Sequence, residues 1–425
     1  MSDTIFALSS GAPPAAIGVI RISGPAAGAA LRALVGRDVE PRHASLVKLR
    51  GDDGALLDEA LVLWFPGPNT ATGEDLAELH CHGGRAVISA IEAELGAISG
   101  LRRAEPGEFT RRAFANGRID LAEAEGLADL LSAETELQRS AAIAMAGGRF
   151  SRQVELWRDG VLRLSAEVEA ALDFADEDDV GGLAADFGAR LDQLASELAL
   201  WLARPRSERL GEGFRVVLSG PPNAGKSTLF NALVESEAAI TSPIAGTTRD
   251  VIERSVAIAG IPFTFVDTAG LHEGGGDEIE SIGIGRAREQ LERADLVLWL
   301  GPEYEGPSGC WEVEAQIDNH AHLVKSAPDW RVSARTGENL GALKAGLVEK
   351  ARQCMPRPGE AALNARQHGL LADANIALSE ASELSDPLII AECLRRARTD
   401  IDRLVGRATT EDMLDALFGR FCIGK

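Results

Sequence analysis

Cysteine is scarce in this sequence, and its placement excludes the usual cysteine-built frameworks. The five cysteines are an odd number, and no two of them form a C-x-x-C pair. Neither a disulfide framework nor a zinc knuckle is therefore predicted, and a reducing cytoplasm fits this usage. The cysteines are Cys81, Cys310, Cys354, Cys393 and Cys422.

Basic residues and long apolar runs are also in short supply. Lysine and arginine number 43 against 65 acidic residues, which gives a formal net charge of −22. That charge excludes a protein that coats nucleic acid or anionic membrane nonspecifically, so any RNA contact must be a local basic patch. No apolar run reaches the length of a membrane span. The N-terminal stretch carries Asp3 and lacks a basic region before an apolar core, so it predicts no secretory signal.

The length and composition indicate a multidomain globular protein. With 425 residues the chain is too long for one ordinary core, and about three domains are expected. Hydrophobic residues make up 45% and charged residues 25% of the chain, as in a soluble globular protein.

The most informative stretch is RVVLSGPPNAGKSTLFNAL, residues 215–233. A short β-branched run precedes Gly220, and helical spacing resumes at Ser227, so the complete G-x-x-x-x-G-K-[ST] phosphate loop lies between a strand and a helix. Glycines let the loop amides face inward, the helix N-terminus adds positive charge, and Lys226 reaches the outer phosphates. The Ser227 hydroxyl is placed for Mg²⁺.

Two later motifs specify a GTPase. The loop SPIAGTTRD offers Thr247 and Thr248 as hydroxyls that bind Mg²⁺ only while the γ-phosphate is present. A predicted strand over Ile261–Val266 runs into DTAG, where Asp267 would hold the Mg²⁺ hydration shell and the Gly270 amide would sense the γ-phosphate.

The residue that orients the attacking water departs from the common pattern. Many GTPases have glutamine after DTAG, but this chain has Leu271, which cannot polarise water. Glu273 is the nearest carboxylate and the candidate for this work, although it is also explained as an exposed charge of the loop. Arg249 is an internal arginine finger or, equally well, a structural partner of Asp250.

The guanine-recognition motif N-K-x-D looks damaged. A strand is predicted over Leu296–Leu300, and in the later segment HLVKSAPDW an alignment on Lys325 puts Val324 at the Asn place and Ala327 at the Asp place. Asp329 substitutes only if the loop shifts. The pair Ser333-Ala334 matches the base-supporting loop, so weaker guanine affinity or relaxed base choice is predicted.

The region up to Gly117 is predicted to be a compact α+β domain. Strands are predicted over Ile17–Ile22, Leu61–Phe65 and Leu76–His82, and a helix over Val87–Leu95. Arg21 intrudes into the first of these strands, so it is either a satisfied structural ion or part of an anion site. His80 and His82 share a strand face beside Cys81, but they lack a recognisable fourth metal ligand, so a metal site is not favoured.

Helical spacing dominates residues 118–209 and Ala361–Leu417, on either side of the phosphate-loop region. A nucleotide domain inserted into a helical domain follows from this order.

Several blocks, taken in order, resemble the MnmE (TrmE) family of tRNA-modification GTPases over nearly the whole chain. These blocks are GVIRISG at residues 18–24, PGPNTATGEDLAELHCHGG at 66–84, RRAEPGEFTRRAFANGRIDLAEAEGLADLL at 102–131, GTTRD at 246–250, DTAGLHE at 267–273 and FCIGK at 421–425.

The resemblance implies a multidomain α/β and α fold. It implies an N-terminal α+β tetrahydrofolate-binding and dimerisation domain (1–117), a helical domain in two parts (118–212 and 353–425) and an inserted Ras-like P-loop GTPase domain with a parallel sheet (213–352). It further implies a cytoplasmic, potassium-dependent GTPase that forms a homodimer. With the flavoprotein MnmG, such a protein installs an aminomethyl or carboxymethylaminomethyl group at carbon 5 of the tRNA wobble uridine, using 5-formyl- or methylene-tetrahydrofolate.

The resemblance also implies site residues. Folate contacts are Arg21, Glu78, Arg118 and Lys425, with arginine at the third place where some relatives have lysine. Potassium ligands are Asn223, Ser242, Ile244 and Thr247, and magnesium ligands are Ser227 and Thr248. Glu273 matches the family's water-orienting glutamate, and with Lys226 it is expected to be catalytic. Cys422 is either a one-carbon chemistry residue or a small buried thiol near the folate pocket. The remaining nucleotide contacts are expected at Ala224, Gly225, Thr228, Asp267, Thr268, Ala269, Gly270, Ser333 and Ala334.

Two other classes of function stay open at this point. A regulatory or ribosome-associated switch GTPase would not need the N-terminal folate blocks. A folate enzyme with a vestigial GTPase domain gains support from Val324 and Ala327.

Overall fold

A computed structural model describes most of the chain. The described residues are 3–173, 183–235, 238–239, 252–268, 288–319, 321–408, 411–419 and 421–424. Within these ranges, no helix combines the length and apolar character needed to cross a membrane.

The described strands form two sheets. In chain order they are β1 Thr4–Leu8, β2 Ile17–Ser23, β3 Ser45–Arg50, β4 Leu56–Phe65, β5 Leu76–His82, β6 Leu101–Arg103, β7 Phe214–Ser219, β8 Ala238–Ala239, β9 Ile252–Ile258, β10 Ile261–Asp267, β11 Leu296–Trp299, β12 Trp311–Glu314 and β13 Trp330–Arg331. The strands predicted from the sequence are confirmed as β2, β4, β5, β7, β10 and β11, and β4 begins earlier than predicted.

The described helices make up most of the remaining regular segments. They are α1 Ala27–Val35, α2 Arg85–Ala97, α3 Glu108–Ala115, α4 Leu121–Ser132, α5 Glu136–Ala146, α6 Arg149–Asp173, α7 Phe187–Leu202, α8 Glu208–Glu212, α9 Lys226–Val234, α10 Leu340–Cys354, α11 Ala365–Ser382, α12 Pro387–Leu404 and α13 Glu411–Phe418. The helical character predicted for the segments before and after the phosphate loop is confirmed.

The chain divides into two compact units. Unit 1 consists of Met1–Ala128 and Asp402–Lys425, and unit 2 consists of Asp129–Ile401. The four-part domain division predicted from the sequence stays a prediction.

Unit 1 is built on a six-stranded sheet of order β3-β4-β5-β2-β1-β6, in which only the β1–β6 pair is parallel. Alternate residues of each strand point to opposite faces, and one face packs its apolar residues against α1 and α2. Ile20 and Ile22 of β2 lie on that face, so Arg21 between them lies on the other. On that second face Ile5 and Ala7 of β1 form a smaller apolar cluster with Ala104 and Phe109.

A buried arginine ties the N-terminus of unit 1 to α3. The Arg112 side chain is fully buried, and its guanidinium donates to Glu74, Glu108 and Asp3 at 3.1, 3.0 and 3.0 Å. Arg102 adds two further bonds to Glu108. Burial alone would raise the pKa of Glu108, but the bonds from Arg102, the Glu105 amide and Arg112 outweigh burial and lower it.

Unit 2 contains a seven-stranded sheet of order β13-β12-β11-β7-β10-β9-β8. The strands from β13 to β10 are parallel, and β9 and β8 continue antiparallel at one edge. Every residue of β10 is buried, as expected for a central strand covered on both faces. The ends of β7 and β10 therefore lie side by side, with Asp267 paired in register with Leu218.

Long helices complete unit 2. Helix α5 begins with a capping box, in which the Thr135 hydroxyl accepts from the Gln138 amide and the Gln138 side chain accepts from the Thr135 amide. Phe150, Trp157 and Trp201 pack edge-on or tilted with ring centroids 5.4 to 6.2 Å apart, which joins α6 to α7.

The Arg112 network predicts a specific loss of stability. We expect Arg112→Met to lower the local free energy of unfolding of unit 1 by about 1–3 kcal/mol, because it removes the buried guanidinium that bridges Glu74, Glu108 and Asp3, while Arg102 still bonds Glu108 and Asp3. Hydrogen–deuterium exchange of the β1 and β2 amides measures this loss. Arg32→Met is the control, since its exposed pair with Asp38 contributes at most about 1 kcal/mol.

The pH dependence of that loss has a defined sign. Because the Glu108 pKa is lowered from 4.5, its contribution is present above pH 4.5 and is lost as the pH falls through the folded value. The difference between wild type and Arg112→Met should therefore narrow in acid. An equal difference at pH 7 and pH 3 would contradict the role of these charges.

Candidate functional site

The phosphate loop connects the end of β7 to the start of α9, as predicted. Two of its glycines adopt a backbone conformation that favours glycine, and at Gly220 the neighbouring backbone also leaves no space for a side chain. Gly220 has φ 148°, and a Cβ there would lie 2.9 Å from the Gly301 nitrogen. Gly225 has φ 91°, and its Cβ would lie 2.8 Å from the Gln316 amide nitrogen. Between them Asn223 also has a positive φ, 62°, a conformation that asparagine tolerates better than most residues.

Lys226 closes this loop from inside. Its side chain is buried, and its ammonium donates to the carbonyls of Gly220 and Pro221 at 2.9 and 2.8 Å. Burial lowers the pKa of Lys226, while the charge of Asp267 works in the opposite direction. The loop thus presents a fixed positive charge at the start of a helix, where anions are favoured.

The end of β10 carries oxygen-bearing side chains beside the phosphate-loop strand. Asp267 is buried at the last position of β10, next to β7. Thr268 follows, and its hydroxyl donates to the Leu218 carbonyl at 2.9 Å, which ties this segment to the phosphate-loop strand. The exposed Ser227 hydroxyl and the Asp267 carboxylate are oxygen donors of the kind that Mg²⁺ prefers, so the donor set fits this ion.

A cavity of about 540 Å³ opens beside the phosphate loop. Segments far apart in sequence line it, and this volume suits a small-molecule ligand. The lining includes Gly225, Thr228, Gln316, Asp318, Ala334 and Arg335. The structure therefore brings the phosphate loop and the predicted base-supporting loop to one cavity.

Asp318 is the functional candidate that the sequence analysis missed. Its Oδ1 accepts a hydrogen bond from the Ser333 hydroxyl at 2.6 Å, and this bond lowers the pKa of Asp318. The same hydroxyl accepts from the Thr336 amide at 3.1 Å, so the carboxylate is held in a fixed orientation. Directly after β12 the chain reads A-Q-I-D, residues 315–318, which keeps only the aspartate of the N-K-x-D pattern.

The alignment of this motif on Lys325 is wrong. The Lys325 side chain is buried, and its ammonium donates to Glu312 and to the Trp299 carbonyl, so it is a structural ion. Val324 is 71% exposed. Asp329, the suggested substitute, accepts from the Glu312 amide at 2.7 Å.

A charged cluster anchors the loop that carries Asp318. The buried Glu314 carboxylate contacts His322 at 2.8 Å and Arg331 at 3.0 Å, and the His322 ring also contacts the Asn319 carbonyl at 2.7 Å. The bonds to Glu314 and Asn319 raise the pKa of His322. Burial would raise the pKa of Glu314, but the bonds from His322 and Arg331 outweigh burial and lower it.

Several predicted site residues lie outside the described residues, so their roles stay predictions. These are Ser242, Ile244, Thr247, Thr248, Arg249, Asp250, Ala269, Gly270, Leu271, Glu273 and Lys425.

Unit 1 carries a second group of polar residues on the sheet face opposite α1 and α2, which we call the open face. Arg21 and Glu78 are paired in register across β2 and β5, and the Arg21 guanidinium donates to Glu78 at 2.8 Å. His80, two residues along β5, contacts the other Glu78 oxygen at 3.3 Å. Arg21 also lies over the Phe109 ring at 5.9 Å. Of the two explanations offered for Arg21, the structure shows an ion pair, and its 23% exposed side chain also leaves it accessible to a ligand.

The remaining predicted residues of this group lie in the same unit. Arg118 is exposed, and its methylenes lie beside Gly73, where a Cβ would approach them to 3.2 Å. Cys422 is exposed, so the prediction of a buried thiol is wrong. Its carbonyl accepts weakly from the Gly107 amide at 3.5 Å, just before α3. The described residues contain no group of three or more histidine, cysteine or acidic side chains that would hold a metal ion, and Cys81 between the two histidines is buried.

Family models match almost the whole chain. Residues 4–118 match the model described as "GTP-binding protein TrmE N-terminus". Residues 121–422 match the model described as "MnmE helical domain", a match that spans the phosphate loop and its sheet.

Full-length relatives share the same description. A protein of Erythrobacter litoralis described as "tRNA modification GTPase MnmE" is 66% identical over 423 residues, which cover 100% of both chains. One from Novosphingobium aromaticivorans with that description is 62% identical over 437 residues, again 100% of both chains. A solved structure of Era from Aquifex aeolicus is 24% identical over 41% of this chain and 69% of that chain, with a TM-score of 0.24, which is too low to support an argument.

Proposed function

The chain belongs to the MnmE family of tRNA modification GTPases, and from that premise we propose a specific activity for it. It hydrolyses GTP in a potassium-dependent reaction and, with the flavoprotein MnmG, installs an aminomethyl or carboxymethylaminomethyl group at carbon 5 of the tRNA wobble uridine. A tetrahydrofolate derivative supplies the one-carbon unit. The protein acts as a homodimer in the cytoplasm.

The observation that carries the GTP part of this proposal is the oriented carboxylate of Asp318 in the cavity beside the phosphate loop. The Watson–Crick edge of guanine offers two adjacent donors, N1–H and the 2-amino group, and a carboxylate accepts both. Adenine offers an acceptor, N1, at the matching place, so a carboxylate repels it. Because Ala315 and Gln316 replace the asparagine and lysine of the usual motif, we expect weaker guanine binding than a complete motif gives.

The phosphates and their metal ions use the phosphate loop. Lys226 and the loop amides hold the outer phosphates, while Ser227 and Thr248 bind Mg²⁺, which neutralises charge between the phosphates. Asn223, on the exposed part of the loop, holds K⁺ together with Ser242, Ile244 and Thr247. Glu273 orients the attacking water.

The folate part of the proposal is supported by the open face of the unit 1 sheet. The Arg21–Glu78 pair offers a cation and a carboxylate that match the polar edges of a pterin and the glutamate tail of folate. Arg118 and Lys425 contribute further positive charge. Cys422 lies in the same unit beside Gly107, where its thiol contributes to one-carbon chemistry or lines the folate site.

Changing the base-reading carboxylate to an amide should invert base preference. Asp318→Asn places an amide donor opposite position 2, which suits the 2-oxo group of xanthine and disfavours the guanine amino group. We expect GTP affinity to fall about 100-fold or more and xanthosine triphosphate affinity to rise, measured by equilibrium binding. Asp329→Asn is the control and should leave base preference unchanged. An unaltered preference in Asp318→Asn would contradict the role of Asp318.

Potassium dependence is tested by comparing hydrolysis in KCl and NaCl. Asn223→Gly removes the ligand side chain but tolerates the positive φ, so the loop keeps its shape. We expect wild type to hydrolyse GTP faster in KCl, and Asn223→Gly to lose most of this stimulation, about 100-fold in turnover. Equal rates of wild type in both salts would count against the potassium site.

Glu273→Ala tests the residue that orients the attacking water. The variant should still bind GTP but should lose most of its hydrolysis rate in the same hydrolysis assay.

The folate site is tested separately from hydrolysis. In a strain that lacks the gene, complementation with Arg21→Met should fail to restore modified wobble uridines, as read by mass spectrometry of tRNA, because the variant loses the guanidinium that faces the ligand. GTP hydrolysis by the purified variant should stay at the wild-type rate. Arg32→Met, which changes an exposed arginine of the same unit, should restore modification. Full modification with Arg21→Met would refute the folate assignment.

A further inference from the structure

A second cavity, of about 420 Å³, lies where α5 turns into α6. Three arginines and no acidic residue belong to its lining, although acidic residues outnumber basic ones in the chain as a whole. We call it the arginine pocket, defined by Arg139, Arg149 and Arg152 with Ile143, Gly147 and Gly359.

Backbone carbonyls fix two of these guanidinium groups in place. Arg149 donates to the Gly359 carbonyl at 2.6 Å, and Arg152 donates to the Gly147 carbonyl at 3.0 Å. Neither of the two is paired with a carboxylate among the residues that the structure describes. Each of these two guanidinium groups therefore uses one N–H donor for the bond to the carbonyl, and its other N–H donors are available to a ligand.

The surroundings of the pocket add positive potential. Helix α6 begins at Arg149, has 25 residues and carries no acidic residue in its first turn, so the positive end of its dipole lies at the pocket. Arg139 forms an ion pair with Glu136, and both side chains are more than half exposed. Because exposed pairs of this kind contribute little, a stronger anion can compete for Arg139.

We propose that the arginine pocket binds the phosphodiester backbone of the substrate tRNA. With a net charge of −22 the chain repels a polyanion over most of its surface, so RNA requires a concentrated cationic site such as this one. Arginine forks match phosphate oxygens in geometry. The 45% exposed side chain of Ile143 adds an apolar contact for a ribose or a base. This inference rests on the proposed tRNA-modifying function.

Binding of a fluorescent tRNA transcript with an unmodified wobble uridine tests the proposal, by anisotropy between 50 and 200 mM KCl. The full-length variant Arg149→Gln/Arg152→Gln should bind at least tenfold more weakly at 100 mM KCl. The slope of log affinity against log salt should become shallower by about 1.5, because two phosphate contacts are lost. The matched control Arg32→Gln/Arg395→Gln removes two exposed arginines elsewhere and should bind like wild type.

A charge-conserving variant separates loss of charge from loss of local structure. Arg149→Lys/Arg152→Lys removes both guanidinium groups but keeps both positive charges, so it should keep most of the salt slope. If the glutamine variant has the same affinity and the same salt slope as the control, the proposal is wrong. It is also wrong if the wild type fails to bind the transcript at 50 mM KCl. If the glutamine variant binds RNA normally but no longer binds MnmG, the pocket is a protein interface and the proposal is wrong.

GTP hydrolysis distinguishes this inference from the proposed function. None of the substituted arginines belongs to the nucleotide cavity, so every variant should hydrolyse GTP at the wild-type rate. If the wild type does not hydrolyse GTP, the proposed function itself is wrong. If the glutamine variant hydrolyses GTP normally and its RNA binding is unchanged, only the proposal that the arginine pocket binds RNA is wrong.

Discussion

The phosphate site depends on one buried ammonium that is bonded to the loop around it. Lys226 donates to the carbonyls of Gly220 and Pro221, and its burial makes an unpartnered charge there costly. The loop carbonyls compensate this charge within the loop itself, and strand β7 and helix α9 hold both ends. The positive charge is therefore in place before any anion arrives, which is the preorganisation that phosphate chemistry requires.

Distant parts of the chain complete the nucleotide cavity through the order of the parallel strands. Because the parallel strands β7, β10, β11, β12 and β13 end at the same edge of the sheet, the segments that follow them meet there. The hydrogen bond between Ser333 and Asp318 joins two of these segments and sets the direction of the carboxylate. In unit 1, strand pairing also joins residues that are distant in sequence, because the antiparallel pairing of β2 with β5 places Arg21 against Glu78.

Local patterns carried most of the sequence-based prediction, and non-local pairing explains what it missed. The phosphate loop and strands β7 and β10 were predictable because their motifs and apolar runs are contiguous. Asp318 was missed because β12 is four residues long with two glutamates, and because only one of the three motif side chains before the cavity is kept. Lys325 had a plausible spacing, but only the structure shows its ammonium buried against Glu312. The pairing of Arg21 with Glu78, 57 residues away, depends on strand register and had no local signal.

Retention of nucleotide by the purified chain is the most direct measurement of the central claim, that this loop and the Asp318 cavity bind one guanine nucleotide. The full-length protein is incubated with radiolabelled GTP or ATP in the presence of magnesium and potassium, and bound nucleotide is separated by rapid filtration. We expect GTP to be retained in preference to ATP, at one nucleotide per chain. Failure to retain either purine triphosphate would contradict the claim.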